Sequence, residues 1–190
     1  MKYYTEILIS FKLSLEITGS WWSSWIEKSL KKIDNISLQE GAKHMLSAYG
    51  GMGSISDESY FDNSYYKYNL DENQQIKLEA IYEILNELCY VTSKYVVNNL
   101  ELNKEYIDTY YKEKKEKLEN SIIDNTKVYE YQQKIGYQYC HLTLNEIKLL
   151  QKELEVLPRL KELLLNKELT NYLNDIPKVE KVLKNKRTVQ

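Results

Sequence analysis

Residues Leu78 to Tyr95 read LEAIYEILNELCYVTSKY, and this stretch decides the fold. Its apolar and half-polar side chains recur after alternating steps of three and four residues, at Leu78, Ile81, Leu85, Leu88, Thr92 and Tyr95. That spacing places them along one face of a helix. We therefore predict a long amphipathic helix that buries this face against other elements.

The chain beyond residue 100 repeats the same spacing. One apolar stripe comprises Ile107, Tyr111, Leu118 and Ile122, a second comprises Val128, Tyr131, Ile135, Tyr139 and Leu142, and a third comprises Ile147, Leu150, Leu154 and Leu157. Pro158 is expected to start or kink a further helix that runs through Leu160, Leu163, Leu164 and Leu169. Asp175 is expected to cap a last short helix that begins near Pro177.

The N-terminal segment fits two patterns. Residues 9–17 alternate between apolar and polar side chains, as a half-buried strand does, yet Tyr4, Ile7, Leu8, Phe11 and Leu15 also share one helical face. A strand needs a partner, and no other run alternates clearly. We predict a helix that ends at Gly19, followed by a helix capped by Ser20 and by one with Ser37 and Glu40 as a capping box.

Together these patterns predict an all-α helical bundle of about six to eight helices, with long amphipathic helices in the second half. The 190 residues are enough for a single domain spanning 1–190, with a soft boundary near residue 100 between the halves 1–100 and 101–190.

Composition narrows the class of function. A net charge of −2 lacks the basic footprint of a nucleic-acid-binding protein, so no direct nucleic-acid partner is expected. The apolar run from Ile7 to Ile17 is interrupted by Lys12 and Glu16, so neither a membrane span nor a signal peptide is predicted. The 18 tyrosines suit half-buried helix faces and protein interfaces, although the codon bias of an AT-rich gene is the simpler explanation.

No catalytic or metal-binding pattern is present. Cys89 and Cys140 have neither metal-ligand spacing nor a CxxC arrangement and are expected to be buried, reduced thiols of a cytoplasmic protein that needs no cofactor. His44 and His141 are interpreted as packed or surface residues. Three tryptophans are predicted to lie in the core (Trp21, Trp22 and Trp25), and Lys112 to Lys117, which alternates in charge, is predicted to be a solvated helix face.

The glycines cluster at one place. Gly50, Gly51 and Gly53 are half of the six glycines, and they follow a predicted helix that carries Ala42, Met45, Leu46 and Tyr49. They lack the strand, lysine and spacing of a phosphate-binding loop. We predict that they end this helix and form a structural turn that shapes a recognition loop.

An acidic and aromatic segment comes next. Asp57, Glu58, Tyr60, Phe61 and Asp62 combine carboxylates, which steer association, with rings that can anchor a partner. We predict that these five residues bind a basic protein surface. The alternative is a solvated loop whose tyrosines pack back onto the helices. The tyrosine-rich stretch from Tyr106 to Tyr111 is the next candidate face.

Trp25, the run Met45 to Ser47, and the sequence from Tyr49 through Ser54 to Asp57 resemble a bacterial domain family of unknown function. In that family a helix ends in Gly-Gly-Met-Gly-Ser-Phe-Asn-Asp. The resemblance covers roughly Trp21 to Tyr95, and Ile55 and Ser56 replace the aromatic residue and the asparagine. Its members resemble small helical proteins encoded near polymorphic toxins, which implies an immunity role for some of them.

These observations favour a binding protein over an enzyme. We expect an immunity protein that binds and neutralises a cognate bacterial toxin domain, such as a nuclease of a contact-dependent growth-inhibition system. The alternative is a helical structural or adaptor protein that dimerises or binds another helix. A weaker third interpretation is an enzyme with Cys89 or Cys140 as its nucleophile, or with a nucleotide site at Gly50 to Ser54.

Overall fold

The computed structural model describes residues 2–18, 20–50, 54–57, 72–98 and 102–175, which form seven α-helices and one turn of 3-10 helix without a strand. The predicted all-α bundle is therefore confirmed. The elements are α1 (Lys2–Thr18), α2 (Trp22–Asn35), α3 (Leu38–Leu46), the 3-10 turn (Ile55–Asp57), α4 (Glu72–Val97), α5 (Lys104–Lys134), α6 (Cys140–Asn166) and α7 (Leu169–Asp175).

The N-terminal segment is a helix, as predicted. Tyr4, Ile7, Leu8, Phe11 and Leu15 are all fully buried, so the helical face, and not the alternating pattern, describes the side of α1 that meets the core. Residues Ile9 and Leu13, which a strand would also have turned inward, are only partly buried.

The cap at Ser37 is confirmed, but only one half of the capping box forms. Ser37 Oγ accepts a hydrogen bond from the Glu40 N–H at 3.2 Å. The Ser37 N–H instead donates to the Lys32 carbonyl, and the Glu40 carboxylate pairs with Lys43, so the return bond is missing. At the start of α2 the N-cap position is Trp21, while Ser20 Oγ accepts from the Trp22 N–H at 3.2 Å.

The prediction that the glycine cluster ends α3 is wrong. The helix stops at Leu46, where the chain continues in turns that bring Ala48 into the core. Gly50 lies beyond these turns and is exposed, and apart from its chain neighbours no described residue lies within 4 Å of the position that a Cβ would take.

A different glycine governs how α2 and α3 cross. A Cβ built on Gly41 would lie 2.8 Å from the Ser29 carbonyl oxygen and would overlap the side chain of Ile33. Only hydrogen fits at this contact, so Gly41 permits the close approach of the two helices.

Helix α4 carries the predicted buried stripe and packs against α1, α3 and α6. Phe11 and Tyr82 lie with ring centroids 5.7 Å apart, and the hydroxyls of Tyr4 and Ser93 are hydrogen-bonded at 2.8 Å. Buried side chains from both halves of the sequence belong to one core.

The predicted stripe from Val128 to Leu142 is wrong as a single helical face. Gly136, at φ 69°, ends α5, because the Tyr137 N–H bonds to the Gln132 carbonyl and the Gly136 N–H bonds to the Gln133 carbonyl. This is a Schellman termination, which favours glycine at the left-handed position. The chain then turns back as α6, and all the members of the stripe are exposed.

Pro158 does not start a new helix, because α6 continues through it to Asn166. Leu157 and Leu160 are buried on either side of the exposed proline, so core packing continues across the point where one backbone hydrogen bond is lost. Lys167, at φ 60°, then ends the helix, and Leu169 belongs to α7. Asp175 is the last residue of α7, and the expected helix near Pro177 lies outside the described residues.

Helices α1 and α7 are joined by a polar clasp. One carboxylate oxygen of Glu6 accepts from the Thr170 N–H at 3.0 Å and from its hydroxyl at 2.8 Å. A carboxylate on α1 thus satisfies a free backbone N–H at the start of α7.

Within the described ranges, none of the helices is long and apolar enough to cross a membrane.

Candidate protein-binding site

The predicted partner-binding segment is anchored at one end by a buried turn. Ile55 is fully buried, its N–H donates to the Ala48 carbonyl at 3.0 Å, and its carbonyl accepts from the Tyr82 hydroxyl at 3.2 Å. Ile55, one of the two residues that depart from the resembled signature, is therefore the one that fixes the turn to the core.

Most of the predicted site residues themselves lie beyond this anchor. Asp57 closes the 3-10 turn, and its side chain lies outside the described part of the structure. The same holds for Glu58, Tyr60, Phe61 and Asp62, and for Gly51 and Gly53 of the structural turn.

An open cleft of about 470 Å³ lies beside the anchored turn. Residues Tyr49, Gly50, Ser54 and Ser56 form one wall, and Glu83, Asn86, Glu87 and Tyr90 of α4 form the other. The Tyr49 hydroxyl donates to the Asn86 carbonyl at 3.0 Å, and the rings of Tyr49 and Tyr90 have centroids 5.0 Å apart. The cleft thus combines tyrosine rings with carboxylates, and its described lining includes no lysine or arginine.

Three described lysines around the cleft already contact other side chains. Lys114 Nζ donates to Glu87 Oε2 at 2.6 Å and forms an ion pair with Glu153 Oε2 at 2.9 Å. Lys117 adds a contact of 3.3 Å to the other Glu87 oxygen. Lys94 lies over the outer side of the Tyr90 ring, at 4.7 Å from its centroid.

Lys114 contradicts the prediction that residues 112–117 form a solvated helix face. Its side chain is only 8% exposed, between α4 and α6. Lys114 lies on the same helical face as three buried residues, Ile107, Tyr111 and Leu118. The alternating charges of the segment led to the wrong prediction. The burial of Lys114 could have been predicted from its position, because it continues the spacing of the apolar stripe.

The carboxylates outnumber the cations in this region. Burial raises the pKa of Glu79 to about 8, with the charges of Glu83 and Glu153 adding to the effect. Burial likewise raises the pKa of Glu83, and the Glu153 charge reinforces this effect, which the charge of Lys114 offsets only in part. Glu87 behaves differently, because the hydrogen bond and charge of Lys114 outweigh its burial and lower its pKa.

Glu83 therefore differs from Glu87 in that it forms no ion pair with a described residue. Among the described residues, no lysine or arginine nitrogen lies within 4.0 Å of its carboxylate. A carboxylate whose ionisation is opposed by burial becomes easier to ionise when an opposite charge approaches. The cleft is therefore suited to receive a lysine or arginine side chain.

The second predicted face, from Tyr106 to Tyr111, lies mostly in the core. Tyr110 and Tyr111 are buried, and the Tyr106 ring packs on Tyr95 with centroids 4.0 Å apart. Tyr106 and Tyr110 still line a smaller cleft of about 220 Å³ on the other side of Glu87 and Lys114.

The histidines and cysteines are not among the described lining residues of either cleft, although Cys89 lies against Tyr49. His44 stacks on Trp25, and burial lowers its pKa, while His141 is exposed on α6. Burial raises the pKa of the Cys89 thiol to about 12, which opposes formation of the nucleophilic thiolate, whereas Cys140 is only partly buried. In the described ranges, no group of histidine, cysteine and carboxylate side chains could hold a metal ion.

The prediction that all three tryptophans lie in the core is only partly confirmed. Trp22 is buried, and Trp25 packs partly buried against the core. Trp21 is exposed and stacks on the outside of Trp22, with centroids 4.0 Å apart.

A family model described as "Domain of unknown function (DUF6966)" matches residues 19–66. This quarter of the chain contains α2, α3, the glycine cluster and the anchored turn, and it supplies one wall of the cleft. Neither a curated protein nor a solved structure matches the chain.

Proposed function

We propose that this protein is an immunity protein, which binds a cognate bacterial toxin domain in the cytoplasm and neutralises it by occluding its working surface. The observation that carries the proposal is the cleft, in which the Glu83 carboxylate has no basic partner among the described residues. A nuclease domain of a contact-dependent growth-inhibition system fits this cleft, because enzymes that bind nucleic acid present lysine and arginine side chains to phosphates.

The position of the cleft supports the proposal. Its wall includes Gly50 and Ser54, which match the resembled family signature, and Ser56, which replaces the asparagine of that signature. The turn that holds Ser54 and Ser56 is fixed to the core through Ile55, so this wall is presented by a rigid base. Preorganised surfaces bind with a smaller loss of conformational entropy.

The chemistry of the cleft matches protein recognition. Tyrosine supplies large rigid contact area with a polar tip, and carboxylates supply the charge that steers a basic partner. Tyr49 and Tyr90 are already held against each other and against Asn86, so they need little ordering on binding.

The test is co-expression with the gene immediately upstream, followed by pull-down and affinity measurement. We expect Glu83→Lys to weaken binding by about tenfold or more, because it places a cation where the partner's cation should lie. Glu116→Lys, on the exposed side of α5, is the matched control and should leave the affinity nearly unchanged. No complex with the upstream product, or equal affinity of the two variants, would contradict the proposal.

A further inference from the structure

Exposed apolar side chains concentrate at one end of the molecule. Nine large hydrophobic residues are exposed in the described ranges, and seven of them lie between residues 123 and 142, on both arms of the α5–α6 hairpin and at its turn. We call these seven the tip surface: Ile123, Val128, Tyr131, Ile135, Tyr137, Tyr139 and Leu142. Exposed apolar residues that cluster in one place often mark an interaction site, whereas scattered ones are normal.

The hairpin projects beyond the core. Leu118 of α5 and Leu149 of α6 are the outermost residues of these arms in, or packed against, the main hydrophobic cluster, and between them only Ile147 is a buried hydrophobic residue. The two arms contact each other there, for example through Thr143 Oγ1 and Gln132 Oε1 at 2.9 Å. Among the described residues, the exposed outer face of α5 between Ile123 and Ile135 therefore has no helix packed on it.

Charges on the outer face of α5 indicate which partner fits. Asp124, Lys127, Glu130 and Lys134 are all exposed, they alternate in sign along the helix, and they sum to zero. The Asp124–Lys127 contact of 3.0 Å joins side chains that are 76% and 70% exposed, so it is weak and exchangeable. This balanced face offers no advantage to a strongly basic or acidic partner, unlike the cleft.

The order of these charges is self-complementary. A second copy running antiparallel, with the twofold axis near Tyr129, reverses the order of signs. Asp124 then faces Lys134 of the second copy, and Lys127 faces Glu130. The same operation sets Ile123 opposite Ile135 and brings Val128 near Tyr131, so apolar side chains also meet.

We propose that the tip surface is a homodimer interface, in which the hairpins of two copies pack antiparallel through their α5 faces. The interface uses residues other than those of the cleft, so the dimer and the proposed toxin complex are compatible and independent.

A charge-swap experiment tests this arrangement. The variant Asp124→Lys with Glu130→Lys makes all four positions positive, and Lys127→Glu with Lys134→Glu makes all four negative. By sedimentation velocity over a concentration series, the wild type should dimerise, and each variant alone should have a dimer dissociation constant raised by about tenfold or more. An equimolar mixture of the two variants should recover dimers, because unlike charges face each other again.

All four positions are exposed, so we expect each variant to keep its helices. Circular dichroism of each variant tests this. Ile123→Ser with Ile135→Ser, which keeps the charges, should also weaken the dimer. A wild type that remains monomeric at all concentrations would overturn the proposal, as would a mixture that fails to dimerise. Monomers that lose toxin binding when Ile135 is replaced would assign the surface to a foreign partner instead.

Discussion

Lys114 on α5 and Glu153 on α6 lie 2.9 Å apart, from Nζ to Oε2, with side chains 8% and 6% exposed. Glu87 of α4 meets the same ammonium group, so one buried cation joins three helices. Burial disfavours the charge on Lys114, but Glu153 and Glu87 outweigh it and raise its pKa.

Removing this cation should strongly destabilise the protein. We expect Lys114→Met to lower the free energy of unfolding by about 3 kcal/mol, because it leaves buried carboxylates without a counter-ion. Urea unfolding at neutral pH measures the change. The double variant Lys114→Met with Glu153→Met should recover part of the loss. Lys115→Met, at an exposed position one residue away, is the control, and an equal effect of both single variants would contradict this role of Lys114.

Glu79 should make stability depend on pH. Its pKa rises from 4.5 to about 8 on folding, so between these pH values the folded protein binds a proton that the unfolded chain does not. Stability should therefore fall as the pH rises from 5 to 8, by as much as about 3 kcal/mol from this group. Glu79→Gln should lose less stability over the same interval, whereas Glu116→Gln should follow the wild type. Parallel curves for Glu79→Gln and the wild type would refute the assignment.

Gly41 should resist even the smallest substitution. Gly41→Ala places a methyl group against the Ser29 carbonyl and Ile33, so α2 and α3 must separate. We expect a loss of about 1–3 kcal/mol in the free energy of unfolding, as for other overpacked sites. Gly50→Ala provides the matched comparison, since its Cβ would meet nothing within 4 Å and stability should hardly change. Thermal melts of the two variants that coincide would disprove the close-approach argument.

The segment after the 3-10 turn should act on toxin binding in two separable ways. Charge reversal at Asp57 and Glu58 should slow association and make it less sensitive to salt, because charges at an interface rim act mainly on the on-rate. Truncation of Tyr60 or Phe61 to alanine should act mainly by raising the off-rate. If either ring is a hot spot, the binding free energy should weaken by roughly 1–2 kcal/mol. Surface plasmon resonance over a salt series separates the two effects.

Charge reversal at Asp34 and Glu116, which are exposed on α2 and α5, controls for the change in net charge. If variants at Asp57, Glu58, Tyr60 and Phe61 together leave affinity and protection of cells intact, the binding face lies elsewhere.

Local patterns in the sequence predict most of the helices, because each helix is selected by its own buried face. The α1 face from Tyr4 to Leu15 and the α4 stripe from Leu78 to Thr92 illustrate this. Ser37 is predictable for a related reason, since its hydroxyl bonds to a backbone group only three residues away.

The sequence patterns did not predict features that depend on residues far apart in the chain. Lys114 looked solvated because the carboxylates that hold it come from α4 and α6, far away in sequence. The stripe from Val128 to Leu142 was predicted from apolar spacing alone. Gly136 lies within it and ends α5, and a glycine at such a position is a known turn signal. The cleft beside Glu83 likewise depends on two segments that only the tertiary structure brings together.

The clasp between Glu6 and Thr170 has a consequence for biosynthesis. Among the described helices, the first to be translated, α1, takes its final contacts from the last, α7. On the ribosome, α1 can pack on α2 and α4, but Thr170 is translated only after α5 and α6, which follow α4 in the chain. The clasp therefore forms late in the synthesis of the described helices, and until then part of the apolar face of α1 is open to chaperones and to misassociation.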